Sequence, residues 1–448
     1  MLWPSSLSVA CAAAVLVGAP HAFAQDDGLA LTGSVRLRLE EIEGQARAGF
    51  DRDDGLFNIR TQLMAEYRSG AFRAGAELFD SRAYGADPGT PISTNEVNAM
   101  ELVQAYVAGD IEEPLGKGSK LSLMAGRFTL NLGSRRLVAA DDYRNTTNGY
   151  TGLRADLAAP GGVKAVFIYT LPQQRRPDDA DGVRNKRVRF DHEGFDLVLW
   201  GGIVGKADAI GPAMAEFSYF HLGERDEPGR PTRDRSLDTF GGRIMSEPET
   251  GRFDYEVEAF YQTGSVSASL ASGSPRQSVA ASFLHVDAGY SFGGSWKPRL
   301  SLEFDRASGD RRGGRQGRFD TLFGMRRADL APAGLYNALA RTNIVTPGIR
   351  LEATPDKRWD WFATYRALWL ASRTDAFSST GVRDAIGRSG SFAGHQVEGR
   401  VRYWILPSRL RFEFDGLLLA RGRFLRDAPN APAGRWTRYT SFNLTASF

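Results

Sequence analysis

The chain has 448 residues, of which 42% are hydrophobic and 11% aromatic, with 50 glycines and a formal net charge of +3. After residue 20 no apolar run approaches the 18 residues of a membrane-spanning helix, so helical spans are excluded. The 49 Arg and 7 Lys are spread along the chain and matched by 53 acids, which argues against nucleic-acid binding.

Residues 7–20 are small and apolar, and Ala22-Phe23-Ala24 before Gln25 forms an A-x-A-like cleavage site, although the segment before it carries no Lys or Arg. Residues 1–24 are therefore expected to be a secretory signal peptide. Cys11, the only cysteine, leaves with it, and the apolar residues that follow it argue against a lipid anchor. The mature chain then has no disulfide or thiol chemistry. Residues 25–448 are expected to form one all-β domain, a transmembrane antiparallel β-barrel of about 18 strands in the bacterial outer membrane.

The predicted strands run 30–42, 56–69, 71–82, 98–109, 119–129 and 150–158, then 162–170, 194–205, 212–222, 236–246, 252–263 and 280–292. The remainder are 296–306, 345–354, 359–372, 393–404, 408–421 and 437–448. Their connections alternate in length. The odd ones, notably 130–149, 171–193 and 307–344, are long, whereas the even ones are short and rich in turn formers such as Ser69-Gly70, Pro160-Gly161-Gly162 and Gly293-Gly294. Long extracellular loops and short periplasmic turns produce this parity in an outer-membrane barrel, and a β-sandwich does not.

Period-two alternation assigns the faces. In 408–421, Leu410, Phe412, Phe414, Leu418 and Ala420 share one parity and Arg409, Arg411, Glu413 and Asp415 the other. In 359–372 the outward set is Trp359, Trp361, Ala363, Tyr365, Ala367 and Trp369, with Arg366 inward. A charge facing lipid at the midplane costs about 2–4 kcal/mol, so the charged parity must face the lumen. The same rule turns Arg36, Arg38, Arg60, Arg68, Arg154, Arg243, Arg299, Arg350, Arg400 and Arg402 inward, with Glu40, Glu66, Glu77, Asp254, Glu256, Glu258, Glu303, Glu352 and Glu398. The last strand alternates Phe442, Leu444, Ala446 and Phe448 with Ser441, Asn443, Thr445 and Ser447. That ending is similar to the C-terminal signal read by the barrel-assembly machinery.

Arginines cluster in two long connections. Segment 130–149 carries Arg135, Arg136 and Arg144, and 307–344 carries Arg311, Arg312, Arg315, Arg318, Arg326, Arg327 and Arg341. The latter also holds Leu322, Phe323, Leu330, Leu335 and Tyr336, so it is expected to fold into the barrel mouth. The planar guanidinium pairs bidentately with carboxylates, which suits an anionic polymer.

Several segments resemble the alginate export family of outer-membrane proteins. They are Gly126-Arg127-Phe128 through Ser134-Arg135-Arg136-Leu137-Val138 with Arg144 and Asn145, then Ser308-Gly309-Asp310, Phe319 to Gly324, and Tyr365 to Ala371 with Asp375. The resemblance implies a monomeric barrel of eighteen strands that passes an anionic exopolysaccharide through an arginine-lined constriction, with partners in a periplasmic secretion complex. Arg127 shares its parity with Leu121, Leu123 and Ala125, so an inward Arg127 requires a β-bulge.

The candidate pore residues are Arg127, Arg135, Arg136, Arg144, Arg154, Arg350, Arg366 and Arg402, with Glu352 and Glu398 holding or shielding them. Many weak sites in series would let an alginate-like chain slide. The alternative is a selective uptake porin for small anionic solutes, narrowed by 307–344. An enzyme is disfavoured, because His192, His221, His285 and His395 form no recognisable motif, and no zinc spacing, phosphate loop or other cofactor signature is present. The run Asp178-Asp179-Ala180-Asp181 reads as a solvated turn.

Overall fold

A computed structural model describes residues 27–141, 143–325 and 330–448; the expected signal peptide with Cys11, and Arg326 and Arg327, lie outside them. The strands are β1 (Gly28–Glu43), β2 (Asp54–Ser69), β3 (Phe72–Tyr84), β4 (Asn98–Glu112), β5 (Lys120–Thr129), β6 (Gly149–Ala159) and β7 (Val163–Pro172). They continue with β8 (Leu197–Ile210), β9 (Ala213–Glu224), β10 (Ser236–Ser246), β11 (Phe253–Ser267), β12 (Arg276–Ser291) and β13 (Pro298–Ala307). The rest are β14 (Arg315–Gln316), β15 (Ile344–Ala353), β16 (Trp359–Trp369), β17 (Phe392–Leu406), β18 (Leu410–Arg421) and β19 (Trp436–Ser447).

Each wall strand pairs antiparallel with its chain neighbour, and β1 closes on β19 from Ser34↔Ser447 to Glu43↔Arg438. The exception is β14, a two-residue strand within a loop that pairs parallel with β12. The wall is therefore a closed antiparallel barrel of 18 strands, as the sequence predicts.

Connections separate by rim. One rim carries 44–53, 85–97 (L2), 130–148 (L3), 173–196 (L4), 225–235 (L5), 268–275, 308–343 (L7), 370–391 (L8) and 422–435. The other carries only 70–71, 113–119, 160–162, 211–212, 247–252, 292–297, 354–358 and 407–409. The first is the extracellular rim and the second the periplasmic one. Strands β11 and β12 run further toward the extracellular side than predicted, through Ser265↔Ser278 and Ser267↔Arg276. Beyond the bilayer a strand's outer face need not be apolar, so alternation no longer marks it.

Parity holds as expected. On β18, Glu413, Asp415, Leu417 and Leu419 are buried while Leu418 is exposed; on β19, Phe442 and Leu444 are exposed and Ser441 and Asn443 buried. Inward positions also change along several strands, as β11 shows. Toward the periplasm they are charged (Asp254, Glu256, Glu258 on β11), and toward the extracellular rim they are apolar (Phe260). Leu199, Phe220, Leu222, Leu237, Phe283, Leu417 and Leu419 complete that apolar level, and they belong to one buried cluster with residues of L3 and L7.

Candidate functional site

The lumen holds the candidate site, and L3 and L7 shape it. L3 leaves β5 and packs Leu132 and Leu137 into the apolar cluster that includes Phe220 and Phe260. Ser134 donates to Glu258 at 2.9 Å, and Arg136 bonds Glu258 at 2.7 Å and also reaches Glu256. Further on, Tyr143 meets the Tyr439 hydroxyl at 2.8 Å and Ser441 at 3.1 Å. Arg38 donates to the Tyr143 carbonyl at 2.5 Å, and its guanidinium lies 3.9 Å from the centre of that ring. Arg36 and Arg60 donate to the Arg144 carbonyl at 2.8 and 3.1 Å. L3 thus bridges the lumen from the β11 wall to the β19–β1–β2 wall.

L7 runs beside it. Val138 and Phe323 form a parallel bridge, with Phe323 N–H donating to Leu137 O at 2.9 Å and Ala139 N–H to Phe323 O at 3.1 Å. Phe319 stacks on Phe283 (5.6 Å between ring centres) and Phe260 (6.4 Å). Tyr336 donates to Gln396 at 2.5 Å, and Gln45 donates to Leu335 O at 3.1 Å. Gly334 has φ +81°, and a Cβ there would lie 2.2 Å from Glu40 Oε1, so only glycine lets L7 approach the wall at this point. The expected inward fold of 307–344 is realised, and its buried Leu330, Leu335, Tyr336 and Leu339 provide the driving force.

Seven of the eight predicted arginines fall into three environments. Arg135, Arg136 and Arg144 belong to L3: Arg135 adopts a left-handed φ of 65°, and Arg144 reaches Asn95 at 3.1 Å and Asn148 at 2.5 Å. Arg136 and Arg144 thus fasten the loop, while Arg135 and Arg144 stay partly exposed. Arg366 is buried in the wall, 3.0 Å from Asp305 and also bonded to Glu303, while Asp305 receives His285 at 2.7 Å. Arg154, Arg350 and Arg402 face the periplasmic vestibule. There Arg154 pairs with Asp156 at 2.7 Å, Arg350 with Glu352 at 2.9 Å and Arg402 with Asp360 at 2.8 Å. Glu352 is shared with Arg299 at 3.4 Å, and Glu398 is buried beside Gln396 at 3.1 Å.

Arg127 departs from expectation. Its strand pairs with β4 and β6 without a register shift between 120 and 127, so the bulge needed to turn it inward does not form. The irregularity sits in β4 instead, where Glu77 faces Gln104 and Leu78 faces Leu102. Arg127 remains at the extracellular rim and donates to Glu101 and to Glu193 of L4, each at 2.7 Å. It anchors a loop.

Sequence reading missed a cavity of about 550 Å³ on the extracellular side, lined by Arg233, Arg235, Gln262, Arg318, Phe319 and Ser378 among others. Its residues come from three connections (L5, L7 and L8) and four wall strands (β9 to β12), so no local motif marks it. Arg235 bonds Glu224 at 2.6 Å and Asp320 at 2.8 Å, and those carboxylates hold its guanidinium protonated above the usual range in spite of its burial. Arg318 bonds Asp375 and the Ala376 carbonyl, both at 2.8 Å. In the neighbouring loops, burial pushes the Glu96 carboxyl up to about 7 and Asp191 to about 6, and brings Arg175 down to about 9 with help from Arg144.

The fold is shared with solved porins of Pseudomonas aeruginosa. OccK2 (OpdF), solved in complex with glucuronate, is 12% identical over 93% of this chain and 96% of its own, with a TM-score of 0.56. OccK8 (OprE) is 9% identical over 94% and 98%, with a TM-score of 0.58, and OccD3 (OpdP) is 12% identical over 94% and 91%, with 0.57. No curated protein matches in sequence. The alginate export family, however, matches residues 28–437, the whole barrel but its last strand residues. With the lipid-facing parity and the rim asymmetry, this places the protein in the bacterial outer membrane, and the chain belongs to the alginate export family.

Proposed function

We propose that the barrel is a channel for anionic saccharides of the uronate class, passing an alginate-like chain or oligomer through the lumen left beside L3 and L7. The observation that carries this reading is the vestibule itself. Arg68, Arg154, Arg402 and Arg411 keep between 24% and 42% of their side chains accessible there. Each stands beside an acid, so a passing carboxylate exchanges one weak partner for another and is never held tightly. The extracellular cavity with Arg233, Arg235 and Arg318 would offer a second station on the same path.

Uptake of small anionic solutes is the second reading. The apolar packing of L3 and L7 across the extracellular half favours it, because a narrow lumen suits monomers, and OccK2 is a fold relative bound to glucuronate. Catalysis has no support in the lumen: the His285–Asp305 pair is buried and tied to Arg366. We assign the membrane lipid to the outer face, the assembly machinery to the β19 strand and its terminal Phe448, and a periplasmic secretion complex to the short-turn rim, with the barrel acting as a monomer.

The test is single-channel conductance of the refolded barrel, with reversal potential measured across a KCl gradient, then addition of a polyuronate, glucuronate or a neutral glucan. Anion selectivity with block by the polyuronate alone is expected. Block by glucuronate without the polymer would select the small-solute reading, and indifference to both acids would overturn the two together.

A further inference from the structure

We propose that His192, Asp196 and Glu227 form a site for a divalent transition-metal ion of the zinc type, which joins L4 to L5 on the extracellular rim. His192 Nε2 lies 3.4 Å from Asp196 Oδ1 and 3.3 Å from Glu227 Oε2, and the three ligand atoms all fall within 4.8 Å of one another. Tetrahedral zinc with bonds of about 2.0–2.2 Å sets neighbouring ligand atoms roughly 3.3–3.5 Å apart. The two separations match that edge, and both exceed the ordinary N–H···O range of about 2.7–3.2 Å.

The surrounding chain aims these atoms. Gln174 Nε2 donates to Asp196 Oδ2 at 2.8 Å, which leaves Oδ1 turned toward the histidine. Gln174 and His192 exchange backbone bonds of 2.8 and 3.0 Å, and Arg225 N–H donates to Asp196 O at 2.8 Å. Gly194 keeps the space open: a Cβ there would stand 2.4 Å from Asp196 Oδ1 and 3.4 Å from His192 Nε2. Partners of this kind fix ligand orientation in metal sites. Arg230 lies 3.5 Å from Glu227 Oε2 and donates to Gln174 Oε1, so it steadies the site while lowering its affinity for a cation.

A nitrogen ligand with two carboxylates suits zinc-class ions, whereas calcium takes six to eight oxygens. Three protein ligands leave a fourth position for water. The site has a structural consequence as well. Glu193 turns away from it to Arg127 and Thr151, fastening L4 to the β5–β6 wall. Just after Glu227, L5 supplies Pro231, Thr232, Arg233 and Arg235 to the cavity wall. A bound ion would tie that wall to the barrel.

The experiment is calorimetric titration of the refolded, tag-free, chelator-treated barrel with Zn²⁺, with Co²⁺ absorption reporting coordination number. One Zn²⁺ per chain is expected, with a tetrahedral Co²⁺ spectrum and Ca²⁺ binding at least about 100-fold weaker. His192→Ala and Glu227→Gln should each weaken Zn²⁺ binding about tenfold or more, and His221→Ala should leave it unchanged. Glu227→Gln keeps shape and reads the site even where His192→Ala refolds poorly. Zinc uptake unaltered by both variants, equal affinity for Ca²⁺, or no uptake by the parent barrel would each overturn the proposal.

Discussion

The extracellular and periplasmic halves of this lumen are built from the same strands but behave as different materials. Around Phe260, Phe283, Leu417 and Leu419 the inward face packs against L3 and L7 as the core of a soluble protein would. One or two inward positions nearer the periplasm, Glu258, His285 and Asp415 begin a level of ion pairs, which ends in Arg402–Asp360 and Arg154–Asp156 facing the vestibule. Inward residues on a barrel strand therefore differ with depth: apolar where L3 and L7 pack by side-chain contact, and charged where those loops are held by polar bonds (Ser134 to Glu258, Arg38 to the Tyr143 carbonyl) or where the arginines keep partial exposure near the periplasmic rim. The outward face stays apolar at both depths because lipid contacts both.

The boundary between the halves is where the contrast breaks most sharply. Arg366 is 1% exposed and neutralises Glu303 and Asp305, themselves 8% and 0% exposed. Replacing it with Met would strip buried Glu303 of this ion pair and leave Asp305 its bond to His285, and breaking buried pairs costs about 3–5 kcal/mol. A lowered urea midpoint for the refolded barrel is the expected outcome, and an unchanged midpoint would show that water reaches this level. Higher in the barrel, Phe319→Ala removes the ring that packs on both Phe260 and Phe283, which also stack on each other. The cost of about 3 kcal/mol or more should fall on L7, whose ladder pairing with the wall is the two-residue β14 alone among the described residues. Proteolysis within 308–343 and a raised open-channel conductance would report it.

Most of the wall was legible in the sequence, and the plug only in part. Period two and the parity of the connections give the wall strands, since lipid enforces alternation at every outward site. The inward folding of L7 could be inferred from Leu330, Leu335 and Tyr336. What sequence could not separate was an arginine that lines water from one that fastens a loop. Arg136 and Arg402 look alike in sequence, yet one bonds Glu258 across the lumen and the other shares Asp360 in the vestibule. Arg127 was misplaced because the register shift lies in the β3–β4 pairing and not in its own strand, and alternation within β5 carries no trace of it. The extracellular cavity depends on residues distant in the chain, and the His192 cluster is completed by Glu227 from the next extracellular loop.

A smaller effect separates the loops from the wall. Glu96 in L2 is buried, and burial raises its carboxyl to about 7, while Asp191 in L4 is raised to about 6. A carboxyl whose folded value is raised binds more protons in the folded state, so its contribution favours folding below the unfolded value, near 4.5, and is lost as pH rises through about 7. Protection factors in 85–97, corrected for the base catalysis of exchange itself, should fall between pH 5 and 7 in the parent and stay flat over that window in Glu96→Gln. Parallel profiles for the two proteins would assign the loosening to another group.

The smallest stability change and the clearest functional one should come from Arg402→Ala. Its guanidinium is 30% exposed, and Asp360 keeps Arg400 at 2.8 Å, so no buried charge is stranded and the cost stays at about 0–1 kcal/mol. The vestibule nevertheless loses one positive charge at its solvent-facing level, and the reversal potential in a KCl gradient should move toward cation preference. Asp360→Asn should move it the opposite way. A barrel in which Arg402→Ala leaves selectivity untouched while Phe319→Ala changes conductance would place the discriminating segment entirely among L3 and L7, and the charged half would then be a wall stiffened by its own ion pairs.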